Sequence, residues 1–166
     1  PSHEHFFTPN ARHDGQILLT ADVLDNRTRS PNVRNTLLTL LRFGVIPVIN
    51  ENDTVAVDEL MTTFGDNDRL AAMVAGLLPR PMLVILSDVA GLYDRDPVDP
   101  DARVMHTVPR VDDATFDLVR DRRTGLSKGG MGSKLKAAQF VTGSGAPVNI
   151  DCVRYEIVLL RLFAGE

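Results

Sequence analysis

Two acid/amide clusters and one glycine run hold the residues of this chain best suited to chemistry. Asn50-Glu51-Asn52-Asp53 follows directly on the apolar run Val45-Ile46-Pro47-Val48-Ile49, which reads as a short buried strand. Gly65-Asp66-Asn67-Asp68 precedes Leu70-Ala71-Ala72-Met73-Val74-Ala75, which reads as a helix. One cluster thus lies at a strand's carboxyl end and the other at a helix N-terminus. In open α/β sheets ligands bind outside the carboxyl ends of strands, and a helix N-terminus offers unpaired N–H groups and a partial positive charge. The pattern suits a small polar ligand carrying an amine and a carboxylate: an Asp for the amine, an Asn to bridge, backbone N–H groups for the carboxylate. Taken singly, each cluster reads as local structure. Asp66 or Asn67 serves as N-cap of a helix over 68–78, and Asn50 and Asp53 serve as turn formers. Two clusters of one character around a single strand–loop–helix unit point to a site.

The glycine run is Lys128-Gly129-Gly130-Met131-Gly132-Ser133-Lys134, ahead of a helix expected over 135–142. Glycines let the backbone approach an anion closely, the helix N-terminus aims N–H groups at it, and Lys134 in the first turn adds a cation. The G-x-x-x-x-G-K-[ST] spacing of a Walker A loop is absent, and alone the run reads as a plain mobile loop. Its weight comes from company, because Ser87-Asp88 closes a further apolar run, Met82-Leu83-Val84-Ile85-Leu86. Phosphoryl transfer asks a protein for little beyond positioning and charge stabilisation.

These residues need elements to hold them. Gln16 to Thr20 reads as a buried strand, and Ala21 to Arg29 as a loop or short helix. Pro31 suits a first helical turn, and Leu37, Leu38, Leu40 and Leu41 form the apolar stripe of a helix that Gly44 ends. Met82–Leu86 is unbroken, as for a parallel strand covered on both faces. Asp94 to Asp101 is an Asp/Pro-rich loop, Val104–Val108 reads as a short strand, and Asp112 as the N-cap of a helix to Val119. Val148-Asn149-Ile150 reads as a strand and Val158–Phe163 as a last helix. Alternating strands and helices predict an α/β class with a mainly parallel sheet.

Composition narrows the partners. The chain has 166 residues, 43% hydrophobic and 24% charged, with net charge −4. It is long enough for one domain or part of one, and its charge argues against nucleic acid as partner. A single Cys152 excludes an internal disulfide framework and reads as a small buried apolar residue. His3 and His5 around Glu4 lack further spaced ligands and read as part of a polar segment over 1–15. No membrane span or signal peptide is visible, so a cytoplasmic location is expected.

Val48-Ile49-Asn50-Glu51-Asn52-Asp53, Phe64-Gly65-Asp66-Asn67-Asp68, Leu86-Ser87-Asp88 with Gly91-Leu92-Tyr93, and Gly129-Gly130-Met131 with Ser133-Lys134 stand in an order and spacing that resemble the glutamate 5-kinases of the amino-acid kinase family. The resemblance runs from about Gln16 to Glu166. It implies the C-terminal portion of a kinase domain over 16–166, folded as a carbamate kinase-like αβα three-layer sandwich around a mainly parallel sheet and incomplete at the N-terminus. It implies transfer of the ATP γ-phosphoryl group to the side-chain carboxylate of L-glutamate, with Mg²⁺ and no protein metal site, as the first step of proline biosynthesis. Asp53 and Asn67 match glutamate-binding residues, and Asp68 the aspartate that organises the catalytic lysines. Ser87 and Asp88 match the nucleotide-binding pair. Lys128, Gly129, Gly130, Met131, Gly132, Ser133 and Lys134 match the nucleotide loop, with Lys134 on the transferring phosphoryl group.

The chain also departs from that pattern. Lys128 replaces a usual Thr, Gly132 a small Ala or Ser, Met61-Thr62-Thr63 looks inserted, and Asn149-Ile150-Asp151-Cys152 differs from the usual strand and turn. The family's first strand with a further lysine, and its C-terminal RNA-binding-like domain, find no counterpart. The chain by itself is therefore expected to bind nucleotide weakly and to turn over nothing, and the intact protein is expected to be a homo-oligomer. An aspartate or acetylglutamate acceptor, or a non-catalytic remnant that binds nucleotide or a partner, are the alternatives.

Overall fold

The computed structural model describes residues 13–52, 67–119, 130–154 and 158–164. The chain divides into two compact units, Pro1–Pro79 and Arg80–Glu166. Among the described residues each unit is built on one pair of parallel strands. Parallel strands cannot be joined by a tight turn and need a crossover, which here is helical in both units.

In the first unit β1 (His13–Leu19) pairs with β2 (Val45–Glu51), from His13 opposite Val45 to Leu19 opposite Glu51. The crossover is α1 (Ala21–Asp25) and α2 (Ser30–Arg42), with Pro31 in the first turn of α2 as expected and Gly44 past its end at φ +73°. β1 starts three residues before the apolar run. Gly15 explains how polar residues enter the pairing: a Cβ there would lie 3.3 Å from Val45 Cγ1 and 3.8 Å from Leu40 Cδ1, so α2 packs directly over the backbone. After β2 comes α3 (Asn67–Leu77). Its Leu70, Met73, Val74 and Leu77 recur at one-face helical spacing and pack with Ile17, Leu19, Leu24, Val33 and Ile49. Arg34 Nε on α2 donates to the carbonyl of Leu77 at 3.0 Å, satisfying one of the acceptors that a helix end leaves open.

In the second unit β3 (Leu83–Ser87) pairs with β4 (Val148–Cys152), Leu83 opposite Val148 and Ser87 opposite Cys152. Between them lie α4 (Asp113–Asp117) and α5 (Met131–Thr142), and α6 (Val158–Ala164) follows β4. α5 packs on both strands through buried Leu135, Ala137, Ala138 and Val141. The expectation that β3 is covered on both faces does not hold. Leu83, Ile85 and Ser87 are buried while Leu86 is 42% exposed, because α5 covers the face of the odd-numbered residues. The strand expected over 104–108 is also absent. Val104 makes only an isolated antiparallel bridge to Tyr93, since Gly91 and the turns of the Asp/Pro-rich loop bracket Tyr93 and leave nothing for a longer ladder to pair with. α5 begins at Met131, four residues earlier than the apolar pattern suggests. No helix among the described residues is long and apolar enough to cross a membrane.

Two local features of the second unit invite measurement. Gly91 has φ +144°, and a Cβ there would lie 3.2 Å from Val104 Cγ1 and 3.7 Å from the Ile150 carbonyl. Gly91→Ala should therefore destabilise the fold by about 1–3 kcal/mol, read by chemical denaturation. At α4, Asp112 caps the helix as expected: its Oδ1 accepts from the Thr115 N–H at 3.2 Å, and the Asp112 N–H reaches back to Thr115 Oγ1 at 3.3 Å. The Thr115 backbone bond, then its hydroxyl, then Arg110, hold the Asp112 carboxyl below its ordinary 3.8. Because the folded value is the lower one, the cap favours folding in full above the ordinary value and loses this contribution as pH falls through the folded value. Thr115→Val, which keeps the backbone donor and removes only the hydroxyl, should raise the Asp112 pKa part of the way toward 3.8, followed by a carboxyl NMR titration; an unchanged titration would remove the hydroxyl from the causes and leave the backbone bond.

Candidate functional site

The parallel order of the second unit fixes where a site forms. α5 runs back from the carboxyl end of β3 to the start of β4, so its N-terminus opens beside Ser87 and Asp88. A cavity of about 270 Å³ lies there, and Ser87, Asp88, Gly130, Met131 and Lys134 all line it. Among the described residues its remaining wall is largely apolar, with Val89, Leu92, Tyr93, Pro97, Leu118 and Val119, and Arg95 adds a further charge. That volume is near the lower end of small-molecule sites. A larger cavity of about 490 Å³ between β4, α5 and α6 takes none of the expected site residues, so chemistry rather than size selects the smaller one.

Backbone bonds hold the polar end of β3. The Ser87 carbonyl accepts from the Val153 N–H at 2.8 Å, and the Asp88 carbonyl accepts from Cys152 Sγ at 3.8 Å. Ser87 is buried and its hydroxyl donates to Asp88 Oδ1 at 3.3 Å. Cys152 is buried and free, as expected. On α5, Gly130 occupies the N-cap with φ −75°. Its carbonyl accepts from Ser133 Oγ at 2.8 Å and from the Lys134 N–H at 3.3 Å, so Lys134 closes the first helical turn. Lys134 Nζ lies 4.0 Å from where a Gly130 Cβ would stand. A cation and a helix N-terminus therefore share one wall of an otherwise apolar slot. That arrangement takes a flat or aliphatic body with an anionic end, and Asp88 adds an acceptor for a hydroxyl or amine.

In the first unit Asn50 and Glu51 end β2, and the N–H of Asn52, the next residue, extends the ladder to the Leu19 carbonyl at 2.8 Å. Asn67 lies within α3 and so is not its cap, Asp66 lies outside the described residues, and Asp68 sits in the first turn, where a carboxylate is favoured by the helix dipole. Leu70, two residues on, packs in one cluster with Leu19 and Ile49, and this sets the start of α3 near the carboxyl ends of β1 and β2. Arg69 pairs with Asp25 of α1 at 3.6 Å.

Of the expected site residues, Ser87, Asp88, Gly130, Met131 and Lys134 converge on one cavity, with Gly132 buried and Ser133 on the same turn. Asn67 and Asp68 stand in the other unit. Asp53, Lys128 and Gly129 lie outside the described residues. Sequence reasoning passed over the apolar wall and Arg95. The signal available for them was Gly91-Leu92-Tyr93 directly after a strand's polar end, where a close turn carries an aromatic ring back to the site. Among the described residues no group of three or more His, Cys, Asp or Glu could hold a metal ion.

Comparison with known proteins places the sequence as follows. The amino acid kinase family matches residues 3–150. A glutamate 5-kinase of Rhodopirellula baltica is 47% identical over 165 residues, covering 99% of this chain and 42% of its own length. Those of Pseudomonas syringae pv. tomato and Pseudomonas fluorescens are 49% and 50% identical, covering 98% of this chain and 44% of their own lengths. The chain thus spans under half the length of the curated relatives it matches. With most of its length inside the family's match and its strand-end and glycine-loop residues gathered at one cavity, this chain belongs to the amino acid kinase family.

Proposed function

We propose that this protein phosphorylates the side-chain carboxylate of L-glutamate with ATP, giving glutamyl 5-phosphate as the first step of proline biosynthesis. The observation that carries the reading is the meeting of Ser87, Asp88, Gly130, Met131 and Lys134 at one cavity in a chain about half identical to glutamate 5-kinases. The apolar wall suits a nucleotide base. Lys134 and the α5 N-terminus suit the phosphates, with Lys128, Gly129, Gly132 and Ser133 completing the loop. Asp53 and Asn67 are assigned the amino and carboxylate ends of glutamate, and Asp68 the ordering of the catalytic lysine.

In this reading a glutamate side-chain carboxylate oxygen attacks the γ-phosphorus in line, the bond to the bridging oxygen breaks, and ADP leaves with the electron pair. Nucleophile and phosphates are both anionic, so a cation at the transferring group lowers the barrier most where charge is spread in the transition state. Lys134 is that cation. Mg²⁺ belongs to the reading only as the nucleotide's counter-ion, and no step is assigned to it.

The test is the full-length protein with MgATP and L-glutamate, L-aspartate or N-acetylglutamate, trapping the acyl phosphate with hydroxylamine. Hydroxamate from L-glutamate alone is expected, and its absence would overturn the assignment. Lys134→Ala should lower kcat by on the order of a hundredfold or more, as for loss of one preorganised donor; a variant that kept kcat would return this lysine to a purely structural part. Asp53→Ala should raise the KM for glutamate far more than that for ATP, since truncating one partner of a hydrogen-bonded charge pair in a binding site costs roughly 2–5 kcal/mol. An unchanged glutamate KM would remove Asp53 from the acceptor site.

A further inference from the structure

We infer that Arg95 is a second phosphate-binding cation of this cavity, working with Lys134. The inference rests on reading the cavity as a nucleotide site. Arg95 lines the cavity, whereas Asp94 and Asp99, the two carboxylates that pair with it, do not. Its Nε lies 3.5 Å from Asp94 Oδ1 and its Nη1 lies 3.9 Å from Asp99 Oδ2. Both are longer than a good hydrogen bond. They hold the guanidinium by charge and leave its planar fork of donors able to engage a phosphate, the anion whose geometry it matches.

Both carboxylates are themselves fixed by backbone. Asp94 Oδ1 accepts from the Arg103 N–H at 3.0 Å, and the Asp94 N–H donates to the Arg103 carbonyl at 3.0 Å. Asp99 Oδ1 accepts from the Asp101 N–H at 2.9 Å, and the Asp99 N–H donates to the Asp96 carbonyl at 2.9 Å. A half-exposed arginine oriented by two anchored carboxylates loses little further freedom on meeting a ligand. Among the described residues that line the cavity, Lys134 and Arg95 are the cations and Asp88 the carboxylate, in a chain of net charge −4. The rival reading is a loop-stabilising ion pair. Exposed pairs of this kind contribute little to stability, so the two readings part in the binding of anions.

The test is titration of a fluorescent ATP analogue, with displacement by adenosine, on the full-length wild type, Arg95→Ala, Arg95→Gln and Arg95→Lys. Arg95→Ala and Arg95→Gln should bind the analogue roughly tenfold more weakly and with a shallower salt dependence. Arg95→Lys should recover part of the loss, and displacement by adenosine, which has no phosphate, should be unchanged in all. Wild-type affinity in Arg95→Ala or Arg95→Gln overturns the inference, as does an equal loss of adenosine binding. No binding of the analogue by the wild type overturns the nucleotide reading itself, and the inference with it.

Discussion

Parallel pairing of β3 with β4 decides where chemistry can sit in this protein. A parallel pair needs a crossover, and a crossover helix that returns antiparallel to its strands must open at their carboxyl ends. The same constraint brings the polar end of β3, Ser87-Asp88, and the N-terminus of α5 to one place. The first unit obeys it as well: β1 pairs in parallel with β2 through the crossover of α1 and α2, and α1 opens directly after the carboxyl end of β1. Donors with no partner inside a helix, carbonyls at strand ends and short polar side chains thus collect on one side of each strand pair, before any residue is chosen for function.

What holds that side in shape is mostly backbone. The Val153 N–H on the Ser87 carbonyl prolongs the β3–β4 ladder one residue past the strands, so the turn carrying Asp88 is an extension of the sheet rather than a free loop. Gly91 lets the chain pass within van der Waals reach of the Ile150 carbonyl as it leaves that turn. Leu92, 5% exposed, follows it into the interior, and Tyr93 is set in place by its bridge to Val104. Side chains at the cavity can then vary in chemistry without moving the frame.

This division explains what the sequence made legible. Strands and α3 carry strong local signals: unbroken or β-branched runs, and Leu70, Met73, Val74 and Leu77 on one face. The two acid/amide clusters were readable because, although either alone reads as a turn or a cap, two of one character around a single strand–loop–helix unit are harder to account for as local structure. The start of α5 was hidden, since Gly129-Gly130-Met131-Gly132 reads as a helix breaker, yet Gly130 caps and Gly132 is buried inside the helix. Val104 looked like a strand because it is β-branched and apolar, but a strand needs a partner, and only Tyr93 is offered. Arg95 sits in a loop whose Asp and Pro content reads as a connection. The part inferred for it depends on its lining one cavity with Leu118 and Met131, which no local pattern encodes.

The glycines separate two readings of the loop before α5. Gly44 has φ +73° and open space where a Cβ would be, so its role is conformational. Gly130 is the opposite case. At φ −75° and ψ −1° any residue could stand there, and a plain turn gives no reason for glycine. What its missing side chain provides is room, and the atom bordering that room is Lys134 Nζ. A bare N-cap beneath an ammonium group lets a phosphate oxygen approach the backbone and the cation together. Gly130 thus leaves the cavity wall beside Lys134 Nζ without a side chain, which is compatible with the anion site proposed above.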